Sequence, residues 1–233
     1  MRKAYYTRAS VHCGMRRHGF SPVVEIMTFD DALLKVYQEK GLIFLSGAFR
    51  QQEISALLGE LERLLKLDLP CHLTAESGEF LGTTAMHESS ALYDRLLRDE
   101  RLLDPAEQIL GGPVYAHQYK VILKEPFGEL SLPWHQDFGP WHHHDGMRAP
   151  KALSFGIFLD EDTEFNGPIV FLPGSHCDGL IPYEVLEVPG TTPIPSIPKE
   201  TITSLVEEAG MVCPKGAAGS MTLFDCCTAH GSG

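Results

Sequence analysis

Hydrophobic residues in the first half of the chain recur at the spacing of amphipathic helices. A first helix is predicted after Thr28, which can cap its start, and before Gly41, which can end it. A second helix is predicted over residues 51–67, and a third over residues 91–110 with an interruption at Pro105. These segments predict a helical layer in the N-terminal half.

From Val114 onward the pattern changes to short apolar or alternating runs separated by turn residues, which is typical of strands. The predicted strands are residues 114–123, 132–138, 152–159, 169–172, 211–213 and 220–224, together with the earlier run Leu42–Leu45. Helices followed by short strands predict a mainly β chain of the α+β class, a double-stranded β-helix (jelly roll) with the N-terminal helices on one sheet. The Pro-rich segment 189–198 is predicted to be a long loop over a site.

The length of 233 residues fits a single domain, which we expect over residues 25–233. Residues 1–24 are predicted to be a basic, poorly ordered leader, with a transit-like segment as the alternative. The basic residues of this leader all precede the first acid, Glu25, and are Arg2, Lys3, Arg8, Arg16 and Arg17.

The net charge of −12 argues against nucleic-acid binding, because contacts with phosphates need clustered Lys and Arg. No apolar run is long enough to span a membrane, and no signal peptide is evident. The six cysteines show neither a CxxC motif nor the spacing of a disulfide framework. We therefore predict a cytoplasmic protein that acts on a small molecule, with no nucleic-acid or membrane partner, and a homodimer stays open.

The segment Trp134-His135-Gln136-Asp137-Phe138 carries the first candidate chemistry. In a strand, His135 and Asp137 would project from the same face and reach one point. A facial triad needs one more imidazole and leaves three coordination positions open, and His230 is the best candidate. Taken alone, the tripeptide is weak evidence and more often represents a satisfied core histidine followed by a turn aspartate.

The remaining motifs, in their order along the chain, resemble the phytanoyl-CoA dioxygenase superfamily and, within it, the ectoine hydroxylase branch. The segments that carry the resemblance are His135-Gln136-Asp137, Asn166-Gly167-Pro168, Phe171-Leu172-Pro173-Gly174-Ser175-His176, Phe224-Asp225-Cys226 and His230-Gly231-Ser232. It covers the chain from about Leu42 to the C-terminus, and the chain departs from the branch's pattern at Gln136, Gly139 and Pro140.

The resemblance implies a non-haem Fe(II)- and 2-oxoglutarate-dependent dioxygenase that uses O2. Its implied iron ligands and catalytic residues are His135, Asp137 and His230. Its implied 2-oxoglutarate-binding residues are Lys120, Ser154 and Ser232. Its implied substrate-binding residues are Gln118, Trp141, Ala152 and Phe224. A cation and hydroxyls suit a dicarboxylate, and an amide beside aromatic rings suits a small charged ligand.

One expected residue is missing from the pattern. Members of the family place an arginine on the strand after the distal histidine, where it pairs with the far carboxylate of 2-oxoglutarate, but this chain ends at Gly233. We expect a truncated chain that lacks its last strand and leaves a sheet edge exposed, or one in which Lys120 is the only cation. Losing such a pair would cost on the order of 2–5 kcal/mol of cosubstrate binding. The expected consequence is weak 2-oxoglutarate binding.

The predicted reaction is hydroxylation of an unactivated C–H bond in a small molecule, with an ectoine-like solute as the leading substrate. Two rival functions stay open: a catalytically inactive or regulatory metal-binding jelly roll, and a cupin-like isomerase or hydrolase that needs no 2-oxoglutarate. A halogenase is disfavoured because Asp137 fills the position that chloride must occupy.

Other polar clusters have simpler interpretations. The run of three histidines at 142–144 is predicted to form a polar loop beside the cleft. His176 is predicted to pack in its turn or to support a metal ligand from behind. For both, direct binding of a metal ion is the alternative. The acidic residues at 160–164 are predicted to form a solvated loop.

Overall fold

The computed structural model describes residues 4–12, 29–74, 80–124, 131–186 and 194–233. The helices are α1 (Asp31–Lys40), α2 (Gln51–Leu64), α3 (Met86–Ser89), α4 (Ala91–Leu97), α5 (Glu100–Leu110), α6 (Phe138–His143) and α7 (Lys199–Ala209). The strands are β1 (Ala4–His12), β2 (Leu42–Leu45), β3 (His72–Thr74), β4 (Phe80–Thr84), β5 (Tyr115–Lys124), β6 (Leu132–His135), β7 (Ala152–Phe158), β8 (Ile169–Phe171), β9 (Glu184–Leu186), β10 (Ile194–Ser196), β11 (Met221–Asp225) and β12 (His230–Ser232).

Two antiparallel sheets form the framework. The larger sheet has the strand order β2-β11-β7-β1-β5-β4-β3, and the smaller has the order β6-β12-β8. Strands β9 and β10 form a separate hairpin. The rings of Phe171 on β8 and Phe224 on β11 lie 4.9 Å apart, so the two sheets face each other. The predicted mainly β, jelly-roll architecture is confirmed.

The main hydrophobic core lies between the larger sheet and helices α1, α2, α4 and α5. Alternate residues of β7, such as Leu153 and Phe155, are fully buried in it beside Ile54 and Leu61 of α2. Burial of each such side chain contributes roughly 1.5–3 kcal/mol. Because side chains alternate along a strand, Ser154 between them belongs to the opposite face, which faces the smaller sheet. The helical layer therefore fixes which face of the sheet is left for a site.

The predicted helices are found, with different ends. Asp30 caps α1 by accepting a hydrogen bond from the Leu33 amide at 2.9 Å, and Thr28 lies outside the described residues. Gly41 ends α1 with a φ of 66°, as predicted. The second helix ends at Leu64, three residues before its predicted end.

The predicted third helix is two helices, α4 and α5. The break lies at Arg98 and Asp99, whereas Pro105 stands inside α5. The cause is a new helix start, because the Asp99 carboxylate accepts a hydrogen bond from the Arg101 amide at 3.0 Å.

The strand predictions differ most at two places. Strand β6 ends at His135, and the residues from Phe138 onward form α6, so the predicted strand 132–138 is too long. The predicted strand 211–213 is reduced to a single bridge between Val212 and Phe171. The described part of the predicted loop 189–198 contains β10 and leads directly into α7.

The predicted leader differs from the structure at Ala4–His12, which form β1 in the middle of the larger sheet. The rest of residues 1–24 lies outside the described residues. Strand β12, which carries His230, is the central strand of the smaller sheet. Among the described residues, no helix has both the length and the apolar character that crossing a bilayer requires.

Candidate metal centre

Two histidines face each other across neighbouring strands of the smaller sheet. His135 ends β6 and is paired directly with His230 at the start of β12, and their ring centroids are 4.3 Å apart. Asp137 follows two residues after β6. Its Oδ1 atom lies 3.8 Å from the Nε2 atom of each histidine. One ligand atom from each residue lies within 4.8 Å of the other two, so the structure brings the three side chains together.

Asp137 is not part of a strand, so the alternation of side chains along a strand does not explain why it points to the two histidines. Its backbone is helical, with φ −62° and ψ −34°, and it precedes the first residue of α6. The Phe138 amide donates a hydrogen bond to the carbonyl of Cys226 at 3.0 Å, which ties the start of α6 to the β11–β12 turn. The prediction that His135 and Asp137 share one face of a strand is therefore wrong, although their side chains converge.

Hydrogen bonds select the tautomer of both histidines. The Nδ1 atom of His135 lies 2.7 Å from the Pro133 carbonyl, and that of His230 lies 2.9 Å from the Thr228 carbonyl. A carbonyl only accepts, so each Nδ1 carries the proton and donates it. In the neutral imidazole, each Nε2 atom then has the lone pair that a metal ion can bind.

The carboxylate of Asp137 is oriented in the same way. The Ser154 hydroxyl donates to Oδ2 at 2.9 Å, which leaves Oδ1 directed towards both Nε2 atoms. The side chain of Asp137 is only 7% exposed. Two imidazoles and one buried carboxylate form the donor set of a non-haem Fe(II) site with open positions, so these residues fit that metal.

Aromatic rings form one wall of the centre. The ring of His230 stacks on Phe171 at 5.8 Å and meets the edge of Phe224 at 5.0 Å. Both phenylalanines are completely buried. This wall keeps water away from His230, and water exclusion strengthens electrostatic interactions at the centre.

The residues predicted to bind 2-oxoglutarate lie on β5, β7 and β12, and their roles stay predictions. Ser154 contacts Asp137 directly. Lys120 is half-buried on β5, between Tyr119 and Val121, which belong to the helix-side core. Alternation therefore places Lys120 on the opposite face, towards the smaller sheet. Ser232 is buried on β12, two residues after His230.

Three of the four residues predicted to bind the substrate are buried and the fourth is exposed. Their roles also stay predictions. Trp141 and Phe138 of α6 are buried in one apolar cluster with Ala152 of β7. Phe224 packs against the ring of His230. Gln118 is exposed on β5.

Sequence reasoning missed two residues near the centre. Gln136, between two of the triad residues, is buried and donates hydrogen bonds to the carbonyls of Cys227 and Gly179, while its Oε1 accepts from the Ile181 amide at 2.8 Å. His117 packs its ring against Trp141. The only signal for Gln136 was its departure from the family pattern, and His117 carried none.

The other histidines have separate partners. His176 bonds through Nε2 to the carbonyl of Gln38 in α1 at 3.1 Å. His142 bonds through Nδ1 to the Met147 carbonyl at the exposed end of α6. In the part of the chain that the structure describes, neither belongs to a group with metal-binding geometry.

A second cluster with metal-binding geometry consists of Asp225, Cys226 and Cys227. The two cysteines lie in the turn after β11. A hydrogen bond with Cys227, burial and the charge of Asp225 all raise the pKa of the Cys226 thiol. Thiolate is the form that binds a metal ion, so a metal ion at this cluster would have to displace the thiol proton.

Known proteins resemble the chain along most of its length. The family model described as phytanoyl-CoA dioxygenase matches residues 37–233. The ectoine dioxygenase of Halomonas elongata is 37% identical over 212 residues, which cover 86% of this chain and 64% of that protein. The chain therefore spans a little under two thirds of the length of that relative.

Solved structures agree with this comparison. EctD from S. alaskensis with 2-oxoglutarate and 5-hydroxyectoine is 31% identical with a TM-score of 0.75, over 91% of this chain and 73% of that one. The structure of the same protein with bound Fe has a TM-score of 0.75 at 29% identity, over 96% and 78% of the two chains. With its fold, its buried triad and these matches, the chain belongs to the phytanoyl-CoA dioxygenase family.

Proposed function

We propose that this chain is a non-haem Fe(II)- and 2-oxoglutarate-dependent dioxygenase that hydroxylates an unactivated C–H bond of a small molecule. The observation that carries the proposal is the preset triad. Both Nε2 lone pairs and one carboxylate oxygen are directed to one buried point by hydrogen bonds that already exist in the protein. When bound, Fe(II) with 2-oxoglutarate and O2 supplies an oxidation that releases succinate and CO2.

The protein's own residues supply orientation and water exclusion. His135, Asp137 and His230 would hold the metal and leave positions open for reactants. Ser154 holds the Asp137 carboxylate in place by its hydrogen bond. The buried ring of Phe224 closes the side of the centre next to His230.

The proposed substrate is an ectoine-like solute. Relatives at 37% and 35% identity are named ectoine dioxygenase, and one solved relative holds 5-hydroxyectoine together with 2-oxoglutarate. The candidate contacts are the indole of Trp141, the ring of Phe224 and the amide of Gln118, with Ala152 leaving space between larger groups. Aromatic faces and one amide suit a small, partly charged ring. We further propose that the protein acts in the cytoplasm.

The test is O2-dependent formation of succinate by the Fe(II)-loaded protein, given 2-oxoglutarate and ectoine. We expect succinate and hydroxylated product in equal amounts. His135→Ala should lower the rate by at least about 100-fold, because losing a direct ligand costs more than losing a residue that only orients one. His144→Ala is the matched control, since His144 is exposed at the end of α6. Its activity should equal that of the wild type.

Two results would contradict the proposal. Turnover that persists under strict anaerobiosis would favour a cupin-like isomerase or hydrolase. Absence of succinate with every substrate offered, despite stoichiometric metal binding, would favour a regulatory metal-binding protein.

A further inference from the structure

Strand β5 contains a β-bulge next to one of the predicted substrate residues. Its pairing with β1 runs residue by residue from Lys124 to Gln118 and then passes directly to Ala116, so His117 has no paired position on β1. An extra residue in one strand interrupts the alternation of side chains and turns the bulged residue in a new direction. His117 is this bulged residue.

The bulge explains where the side chain of His117 lies. Strict alternation would place it on the face of Tyr119 and Val121, which belong to the helix-side core. Instead, the ring of His117 meets the ring of Trp141 edge-on, with centroids 5.1 Å apart and planes at 75°. The bulge therefore directs His117 to α6 and away from the core.

The indole that His117 contacts belongs to α6, which begins directly after the proposed metal ligand Asp137. Trp141 is 3% exposed and belongs to one apolar cluster with Ala152, which precedes Ser154 by two residues on β7 and so shares its face. The amide of Trp141 also donates to the carbonyl of Asp137 at 3.4 Å, one helical turn earlier. The backbone of Trp141 is thus tied to the backbone of a proposed metal ligand.

A hydrogen bond holds the imidazole of His117 against the indole. Its Nε2 atom lies 3.0 Å from Oδ2 of Asp145, which follows the end of α6. A carboxylate accepts, so Nε2 carries a proton and donates it. The Asp145 amide donates to the carbonyl of Trp141 at 3.2 Å, so both partners of His117 belong to the same helix end.

The accessibility of the pair suits a positioning role. The side chain of His117 is 17% exposed and that of Asp145 is 42% exposed. A hydrogen bond at such a partly exposed site contributes little to stability by itself, whereas an edge-to-face pair of rings restricts the orientation of both rings. The effect of His117 is therefore expected on the orientation of the indole more than on the fold.

We propose that His117, supported by Asp145, is a positioning residue that fixes the indole of Trp141 for substrate binding. This inference rests on the proposed function and adds a specificity-determining residue to it. His117 contacts one predicted substrate residue, Trp141, and directly precedes another, Gln118, in the sequence. A small ring bound against the indole would need that orientation in advance, because preorganised contacts cost less entropy on binding.

The test is a fluorescence titration of the Fe(II)-loaded full chain with ectoine, in the presence of 2-oxoglutarate and without O2. The chain has two tryptophans, so Trp134→Phe leaves Trp141 as the single emitting indole. In this background, His117→Ala should weaken ectoine binding about 3- to 10-fold, the range that an edge-to-face ring pair corresponds to. Its Trp141 emission should shift to longer wavelength, since the indole loses a covering ring. The affinities for Fe(II) and 2-oxoglutarate should stay unchanged.

Two further variants separate the ring from the hydrogen bond. His117→Phe keeps a ring against Trp141 and should recover most of the ectoine affinity. His117→Gln keeps a donor for Asp145 but no ring, and should recover less. His144→Ala is the matched control, because it removes an exposed imidazole from the same helix end, and it should bind ectoine as the parent protein does.

Wild-type ectoine affinity in His117→Ala would overturn the inference while the proposed function stands. So would an equal loss of Fe(II) and ectoine binding in both His117→Ala and His117→Phe, which would show a purely structural role. A parent protein that binds Fe(II) and 2-oxoglutarate but not ectoine would overturn both the inference and the proposed substrate.

Discussion

At the residue scale, the centre depends on which nitrogen of each imidazole carries the proton. His135 and His230 each donate Nδ1–H to a backbone carbonyl two residues earlier in the chain, so the same local hydrogen bond orients both rings. Ser154 adds the third constraint by occupying Oδ2 of Asp137. The donor atoms are therefore oriented before a metal ion arrives, which lowers the entropic cost of binding it.

Ser154→Ala should weaken Fe(II) affinity by about 10- to 100-fold, because the Asp137 carboxylate loses the hydrogen bond that orients it. Anaerobic metal titration measures this change. Ser220→Ala is the matched control, since Ser220 is also completely buried but its hydroxyl has no hydrogen-bond partner among the described residues. Equal metal affinity in the two variants would contradict the orienting role of Ser154.

At the element scale, the turn between β11 and β12 connects the metal centre to the helical layer. The Tyr37 hydroxyl of α1 donates to the carboxylate of Asp225 at 2.8 Å, and the Thr228 hydroxyl donates to the carbonyl of Gly41. The carbonyl of Thr228 in turn receives the hydrogen bond from His230. The C-terminal end of α1 thus holds the turn that positions one metal ligand.

The Tyr37–Asp225 contact predicts an alkaline pH dependence. Burial and the adjacent Asp225 raise the pKa of Tyr37 far above its ordinary value of 10.0. Above that ordinary value the unfolded chain loses the proton while the folded protein keeps it. The stability from this group is therefore complete below about pH 10 and falls as the pH rises.

Tyr37→Phe removes both the hydrogen bond and the titrating group. At neutral pH the variant should be less stable by about 1–2 kcal/mol. Above about pH 10 this difference should shrink by up to roughly 1.4 kcal/mol per pH unit, because only the wild type loses the Tyr37 contribution. Urea unfolding at several pH values measures the difference, and parallel curves for the two proteins would rule the linkage out.

At the scale of the whole molecule, the metal centre lies between two sheets that are otherwise joined by packing. The triad draws on β6, on β12 and on the segment that begins α6, and Ser154 adds β7 of the larger sheet. A metal ion bound only by the folded protein therefore stabilises the arrangement of both sheets.

Adding Fe(II) at about 100 times its dissociation constant should stabilise the protein by ~2.7 kcal/mol, which raises the melting temperature by about 5–10 °C for a chain of this size. A chelator should reverse the shift. His230→Ala should show no shift, whereas His144→Ala should keep it. Anaerobic differential scanning calorimetry measures these values, and an undiminished shift in His230→Ala would place the metal elsewhere.

The amino-acid sequence by itself determined the helical layer, the strand Leu42–Leu45 and the types of residue that form the triad. These features follow from local periodicity and from short motifs, because helix amphipathicity and capping depend on residues only a few positions apart. The glycine that ends α1 was predictable for the same reason.

Tertiary structure alone decided how Asp137 reaches the centre and where the bulge at His117 falls. Each of these depends on contacts between segments far apart in the chain, such as the pairing of β1 with both β5 and β7. Strand register is set by long-range pairing and by the face that the core leaves available, so no local pattern could reveal it. Residues Ala4–His12 belong to a segment whose local pattern resembles a loose tail, but they form a central strand because they pair with both β5 and β7.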